Sequence, residues 1–323
     1  MTVVTGATGY LGNTIIRGLN KKGIKPKAFI LPESDRRSLK GLQYIPAEGD
    51  LLDRSSLEKA IAGAETVYHC AAYISILPGE EKKLYNINVK GTENLIHTCG
   101  STGVKRLVFV STLEAMDWTQ GKALINETAG FHPENACIEY GKTKAEASLL
   151  VLSAVEEGMD AVITVPTGFI GPGDYRISSM TSMILDFSAG SLPAYVGGGF
   201  NFVDIRDAAA GTIAAAERGR TGETYILGGE YITIASLMEI LEELTEKKKP
   251  SFKVPFALAA LAARFSEKRA STPKFTRDSL KVLKEGPRVD CEKAQKELGY
   301  TARPIRETLK DTLDWLSAEG YRT

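Results

Sequence analysis

The chain has 323 residues, 43% of them hydrophobic and 25% charged, with 40 Lys plus Arg balancing 40 Asp plus Glu. These are the proportions of a globular protein with room for two domains or one large α/β unit, so disulfide stapling is unnecessary. A net charge of zero excludes the basic excess that nucleic-acid phosphates demand, and Lys247-Lys248-Lys249 is too short a run to supply it.

In chain order, Met1 leads directly into the first candidate strand, 2–5, so no signal peptide is expected. Next come Gly6-Ala7-Thr8-Gly9-Tyr10-Leu11-Gly12 and a helical pattern over 11–22, with Ile15, Ile16 and Leu19 on one face. Gly23 stands where a left-handed C-terminal cap is wanted. A backbone without Cβ atoms turns tightly and approaches a pyrophosphate closely, while the N–H groups and dipole of a helix start favour its charge. Gly6, Thr8, Gly9, Tyr10, Leu11 and Gly12 are therefore candidate cofactor contacts.

Strand 27–31 closes on Leu31, with Pro32, Glu33 and Asp35-Arg36-Arg37 beyond it. The strand end carries neither the acid that selects NAD through the ribose 2′-hydroxyl nor the immediate Arg that selects NADP. With no acid at Leu31 to repel a 2′-phosphate, and Arg36 and Arg37 nearby, the expected cofactor is NADP or NAD with a modest lean to NADP. The alternative for the two arginines is a solvated helix start. Strand 44–46 leads to Gly49-Asp50-Leu51, where Asp50 is placed to accept from the adenine amino group.

Ser55 and Ser56 open a short helix ending at Gly63, and strands 66–70, 106–111 and 161–165 follow, interleaved with helices 82–100 and 140–157. Six strands alternating with helices predict a parallel sheet covered on both faces. After Pro166 the composition changes, with glycine loops at 171–173 and 197–199 and a charged, mainly helical stretch from Gly228. The predicted architecture is α/β, a Rossmann doubly wound sheet with a smaller, discontinuous, mainly helical C-terminal substrate domain. Its NAD(P)-binding part is 1–165 and 196–227, its substrate-binding part 166–195 and 228–323. The most apolar stretch, 254–263, has about half the length needed to span a bilayer and reads as a packed helix.

Tyr140 alone among the 12 tyrosines has a lysine four residues later, Lys144. On a helix the two share a face, and the ammonium is expected to lower the phenol pKa, which equips Tyr140 to exchange a proton with an alcohol or ketone. Strand 106–111 ends in Ser111-Thr112, at the carboxyl edge where doubly wound sheets bind ligands, and a hydroxyl there can hold the substrate oxygen.

The glycine run, the Thr112, Tyr140 and Lys144 triad, and their order and separation resemble an extended short-chain dehydrogenase/reductase of the NAD-dependent epimerase/dehydratase type. The motif 67–72 is similar to that family's fourth-strand motif, 88–95 to its helix motif and 165–174 to its nicotinamide loop. Phe202-Val203-Asp204-Ile205-Arg206-Asp207 and Leu298-Gly299-Tyr300 with Trp315 resemble its C-terminal signatures. The closer match, carried by 32–37, 201–204 and 222–229, is to dihydroflavonol 4-reductase-like and hopanoid-associated sugar epimerase-like proteins, which usually have Arg where this chain has Leu31.

The resemblance implies cofactor contacts from Leu31, Leu51, Ala71, Ala72, Tyr73, Asn88, Ser111, Tyr140, Lys144, Pro166, Thr167, Gly168 and Phe169, besides those above. It also implies a homodimer built from helices 82–100 and 140–157. The sequence agrees: Ala145, Leu149 and Leu152 form one apolar row and Ala147, Leu150, Val151 and Ala154 another, while Leu84, Ile87, Leu95 and Ile96 spread over more than one stripe.

Other chemistries recede. Cys70, Cys99, Cys137 and Cys291 have no Cys-x-x-Cys spacing and no cluster with His69, His97 or His132, so no metal is expected and the thiols read as those of a reduced, cytoplasmic protein. His69, inside an apolar strand end, reads as structural. No Gly-x-Ser-x-Gly elbow is present. Glu114 stands two residues after Thr112, as in nucleotide-sugar 4,6-dehydratases, but Leu113 replaces their intervening Asp. Asn201 cannot supply the charge with which an Arg clamps a nucleotide diphosphate. An oxidoreductase acting on a small-molecule ketone, aldehyde or matching alcohol ranks first, a sugar epimerase second and a silent NAD(P) binder third.

Overall fold

The computed structural model describes residues 1–119, 124–269 and 276–321. Its main sheet begins with β1 (Thr2–Thr5), β2 (Lys27–Ile30), β3 (Ile45–Glu48), β4 (Thr66–His69), β5 (Arg106–Val110) and β6 (Ala161–Pro166), close to the six expected segments. Beyond β6 come β7 (Gly168–Ile170), β8 (Tyr195–Val196), β9 (Gly199–Asp204), β10 (Thr224–Leu227), β11 (Glu230–Thr233) and β12 (Lys253–Val254). The main sheet has seven strands, not six, because β10 adds to the edge beyond β6. Its order is β10-β6-β5-β4-β1-β2-β3, parallel throughout.

Both faces of the sheet are covered, which is why its central strands are almost continuously apolar. On one face Val4, Val108 and Val162 meet Ile15 and Ile16 of the helix Tyr10–Lys21 and Ala208 and Ile213 of Ile205–Arg218. On the other, Val3, Val67, Leu107 and Ile163 meet Leu57, Leu95, Ala147 and Val151. Each large side chain removed from water contributes roughly 1.5–3 kcal/mol. Gly23 caps the first helix with a φ of 76°, as its position suggested.

The helix expected at 82–100 is continuous but not uniform, running as α over Glu81–Leu84, π over Tyr85–Lys90 and α over Gly91–Thr102. That expected at 140–157 is Glu139–Glu156. The apolar rows assigned to them are only partly left over. Ala145, Ala147, Val151 and Ala154 are all buried, as are Leu84 and Leu95, because the helix packs between the sheet and its neighbours. Leu149 at 42% and Tyr85 at 41% exposure remain open.

Past β6 the chain leaves the main sheet. β7, β9 and β11 form a three-stranded sheet and β8 pairs with β12, among the helices Ser179–Ser188, Ile234–Thr245, Phe256–Arg269, Arg277–Glu285 and Ile305–Ala318. Asp204 fastens this region: it caps Ile205–Arg218 through the Arg206 N–H, and Arg206 bridges from it to Asp311 on the last helix. Arg303 binds Asp207 at 2.7 Å and lies 3.5 Å from Asp204. Burial pushes the Asp204 carboxyl up, but these guanidinium groups outweigh it and hold the pKa below the ordinary value.

The apolar stretch 254–263 packs on one face through Ala259 and Ala263, but Leu258 and Leu261 project outward, so only half of the packed-helix expectation is met. No described helix is long and apolar enough to cross a membrane. The four cysteines are free thiols, and burial pushes each up to about 12.

Candidate active site

The glycine run turns β1 into the helix Tyr10–Lys21 as the sequence requires. A Cβ on Gly12 would lie 2.2 Å from the Gly6 carbonyl oxygen, so the helix approaches the turn closely only because that atom is missing. Gly9 is the N-cap, no side chain caps the helix, and no acid stands in its first turn. Its leading N–H groups and dipole thus face outward without a protein anion, the chemistry a dinucleotide pyrophosphate fits. A second polar group is left over nearby: the buried Thr167 hydroxyl, in the loop likened to the nicotinamide loop, has no hydrogen-bond partner.

That loop and the glycine run are joined directly. The Tyr10 hydroxyl donates to the Gly171 carbonyl at 2.5 Å, and its ring meets Phe169 edge-on with centroids 6.0 Å apart. Burial, then Asp174 and Asp204, hold the Tyr10 phenol well above its ordinary pKa, so it stays a donor. Arg176 donates to the Thr8 hydroxyl at 3.1 Å, and Ser38 to the Thr8 carbonyl at 3.0 Å. Pro166 ends β6 and Gly168 and Phe169 begin β7, which places the segment where the chain leaves the main sheet.

At the end of β2, Leu31 is half exposed. The two arginines beyond it are engaged: Arg36 with Glu48, and Arg37 with Asp35 at 2.7 Å. Asp50 follows β3, exposed, with one carboxylate oxygen accepting from the Leu52 N–H at 2.9 Å. Leu51 is buried beneath Gly91.

Thr112 lies just past β5, and Tyr140 and Lys144 lie on the first turns of Glu139–Glu156. A Cβ on Gly141 would sit 2.2 Å from the Glu114 carbonyl oxygen, so this helix starts pressed against the turn Leu113–Ala115. That closeness gathers the groups. Thr112 donates to the Glu114 carboxylate, and Glu114 is near enough to Tyr140 to disfavour its phenolate. Lys144 is buried with its Nζ 4.0 Å from the centre of the Phe109 ring.

The electrostatics depart from expectation. Burial first, and Glu114 second, raise the Tyr140 pKa instead of lowering it. Burial also lowers that of Lys144 to about 7, so the ammonium that was to favour phenolate is itself disfavoured in the dry pocket. Glu114 is pushed up by burial, against the Thr112 hydrogen bond. When protonated, it can donate to Thr112 and release the Thr112 proton for another acceptor.

Several named residues serve the frame. The Ser111 hydroxyl pairs with that of Ser148 at 2.8 Å. Asn88, in the π segment, binds both the N–H and the carbonyl of Tyr73 and reaches Thr143, holding the 71–73 strand exit beside the helix that carries Lys144. Ala71 donates to the Thr5 hydroxyl, while Ala71 and Ala72 stay half open. His69 is fixed between Thr5 and Thr92, and burial, then Lys144, lower its pKa to about 3, which leaves it neutral and structural. Sequence reasoning missed Arg176 and the ring of Phe109, since neither carries a motif. Glu114 was visible there only as half of a different pattern. Of the loop 113–136, residues 120–123 lie outside the described ones.

Comparison with known proteins shows the family. The NAD dependent epimerase/dehydratase family matches residues 2–228. The chain is 36% identical to sterol demethylase protein B of Methylococcus capsulatus, covering 99% of both chains. It is 31% identical to a putative dihydroflavonol 4-reductase of Synechocystis, covering 98% of this chain and 95% of that one. The crystal structure of gox2253 superposes with a TM-score of 0.88 at 32% identity, over 100% of this chain and 99% of the other.

Proposed function

Because the chain belongs to the NAD dependent epimerase/dehydratase family, as an enzyme of the extended short-chain dehydrogenase/reductase type, we propose that it is an NAD(P)-dependent oxidoreductase interconverting a ketone or aldehyde and its alcohol. One observation carries the reading. Thr112 donates to Glu114, and a Cβ on Gly141 would sit 2.2 Å from the Glu114 carbonyl oxygen, so the turn after Thr112 is pressed against the helix start that carries Tyr140, with Lys144 a turn beyond.

When bound, a nicotinamide cofactor would supply or take the hydride. The glycine run and helix start would hold its pyrophosphate, Asp50 the adenine and the Pro166–Phe169 segment the nicotinamide end. Thr112 orients the substrate oxygen, and Tyr140 gives it a proton in reduction or takes one in oxidation. Lys144 holds ribose hydroxyls and favours the phenolate to the extent that it is charged.

The substrate is read as an apolar ring compound rather than a nucleotide sugar. The relatives are named for sterol demethylation and dihydroflavonol reduction. Asn201 is buried, gives one amide N–H and its carbonyl oxygen to Gly229 just before β11, and brings no charge to a diphosphate. This argues against the epimerase reading. The active form is taken to be a homodimer.

A panel of sterol-like ketones, dihydroflavonols and simple aldehydes, scored by NADPH and NADH oxidation, tests the assignment. Tyr140→Phe is expected to lower kcat by about 10²–10⁴-fold while cofactor binding stays within a factor of about two. Full turnover by that variant, or a wild type that binds both cofactors and oxidises neither, overturns it.

A further inference from the structure

The loop after β7 carries an uncommon backbone. Ile177, a β-branched residue, has a φ of 50°, in the left-handed region such residues avoid. It is held there from both sides: the Ile177 N–H donates to the Asp174 carbonyl at 3.1 Å, and the Asp174 carboxylate accepts from the Ser178 N–H and the Thr181 hydroxyl, each at 2.7 Å. The neighbouring side chain, Arg176, is thereby carried out of the substrate half and onto Thr8 of the glycine run. Strain kept at one loop position, with a cation delivered to a phosphate-binding turn as its result, is the pattern of a built contact.

The cation has work to do there. Arg36 and Arg37, nearer in sequence, are tied to Glu48 and Asp35, and Arg17 gives its guanidinium to Ser38 and Asn13. Arg176 is exposed, and it is close enough to Asp35 to help hold that carboxyl below its ordinary pKa, after the two hydrogen bonds from Arg37. Its guanidinium reaches the Thr8 hydroxyl, and the Thr8 carbonyl is in turn held by Ser38 of the turn after β2, so the cation stands beside the region where the adenosine ribose of a dinucleotide belongs.

Resting on the cofactor reading above, we propose that Arg176 recognises the 2′-phosphate of NADP, supplying from the substrate half the guanidinium that the end of β2 lacks. A guanidinium fork meets a phosphate through two parallel hydrogen bonds, and the ester dianion of NADP offers what the NAD hydroxyl cannot.

Equilibrium binding, followed by cofactor fluorescence, tests this without turnover. Arg176→Met is expected to weaken NADPH by about tenfold or more and leave NADH within about twofold, with Arg176→Lys between the two. As competitors, 2′,5′-ADP should lose affinity with NADPH, and 5′-ADP should not. Equal weakening of both cofactors, no change in either, or a wild type that prefers NADH overturns the proposal while sparing the oxidoreductase assignment. A wild type that binds neither cofactor overturns both. Thr8→Val, which removes the anchor and keeps the charge, should weaken NADPH in the same direction by a smaller factor, and no effect from it counts against the geometry.

Discussion

Glu114 and Tyr140 oppose each other, since one carboxylate charge beside a buried phenol makes a second negative charge harder to form. The sign follows: replacing Glu114 by a neutral group of equal size removes a like charge and must lower the Tyr140 pKa. Glu114→Gln is expected to bring the onset of the late, buried component of tyrosinate absorbance to lower pH than in the wild type, and that component should vanish when Tyr140→Phe is added. An unchanged onset rejects the coupling. The i and i+4 spacing of Tyr140 and Lys144 was legible because helix periodicity is local. Their pKa shifts were not, since those depend on how deeply Phe109 and the turn Leu113–Ala115 bury them. The same holds at Leu31: the missing Arg was plain in the sequence, but Arg176 arrives from a distant loop that carries no motif.

Among the elements, the parallel strands of the first half could be read because burial on both faces writes unbroken apolar runs such as 107–110 and 161–163. β10 escaped the count because the segment between β6 and β10 folds away into other strands and helices before the chain returns. The π stretch over Tyr85–Lys90 was equally hidden, as its extra residue per turn leaves no mark in an apolar pattern. The motif at 202–207 was recognised without a physical reason, and the structure gives one: Asp204 is a buried carboxylate facing two guanidinium groups. Removing it strands those charges against the start of Ile205–Arg218. Asp204→Ala is expected to cost about 3–5 kcal/mol of stability by denaturant titration, against under about 1 kcal/mol for Lys310→Ala, which breaks only the exposed Lys310–Asp314 pair. Similar losses in the two variants would remove Asp204 from this role.

For the whole molecule, Leu149 and Tyr85 are what the helices Glu139–Glu156 and Glu81–Leu84 with its π extension leave for a partner. In the proposed homodimer a two-fold axis there would cover both patches isologously and keep each cleft within one subunit. Light scattering at micromolar concentration should return twice the 34.9 kDa of one chain, and Leu149→Glu should return it to one. A wild-type mass near one chain ends the dimer, and a Leu149→Glu dimer moves it to another face. The position of β10 at the sheet edge has a consequence for how the chain comes into being. Until residues 224–227 leave the ribosome, β6 presents an open row of backbone donors and acceptors along one of the most apolar strands in the protein. A nascent or truncated chain ending near residue 200 is therefore a sticky species, prone to pair strand to strand with its own copies, and β10, the last strand to join the main sheet, acts as the seal.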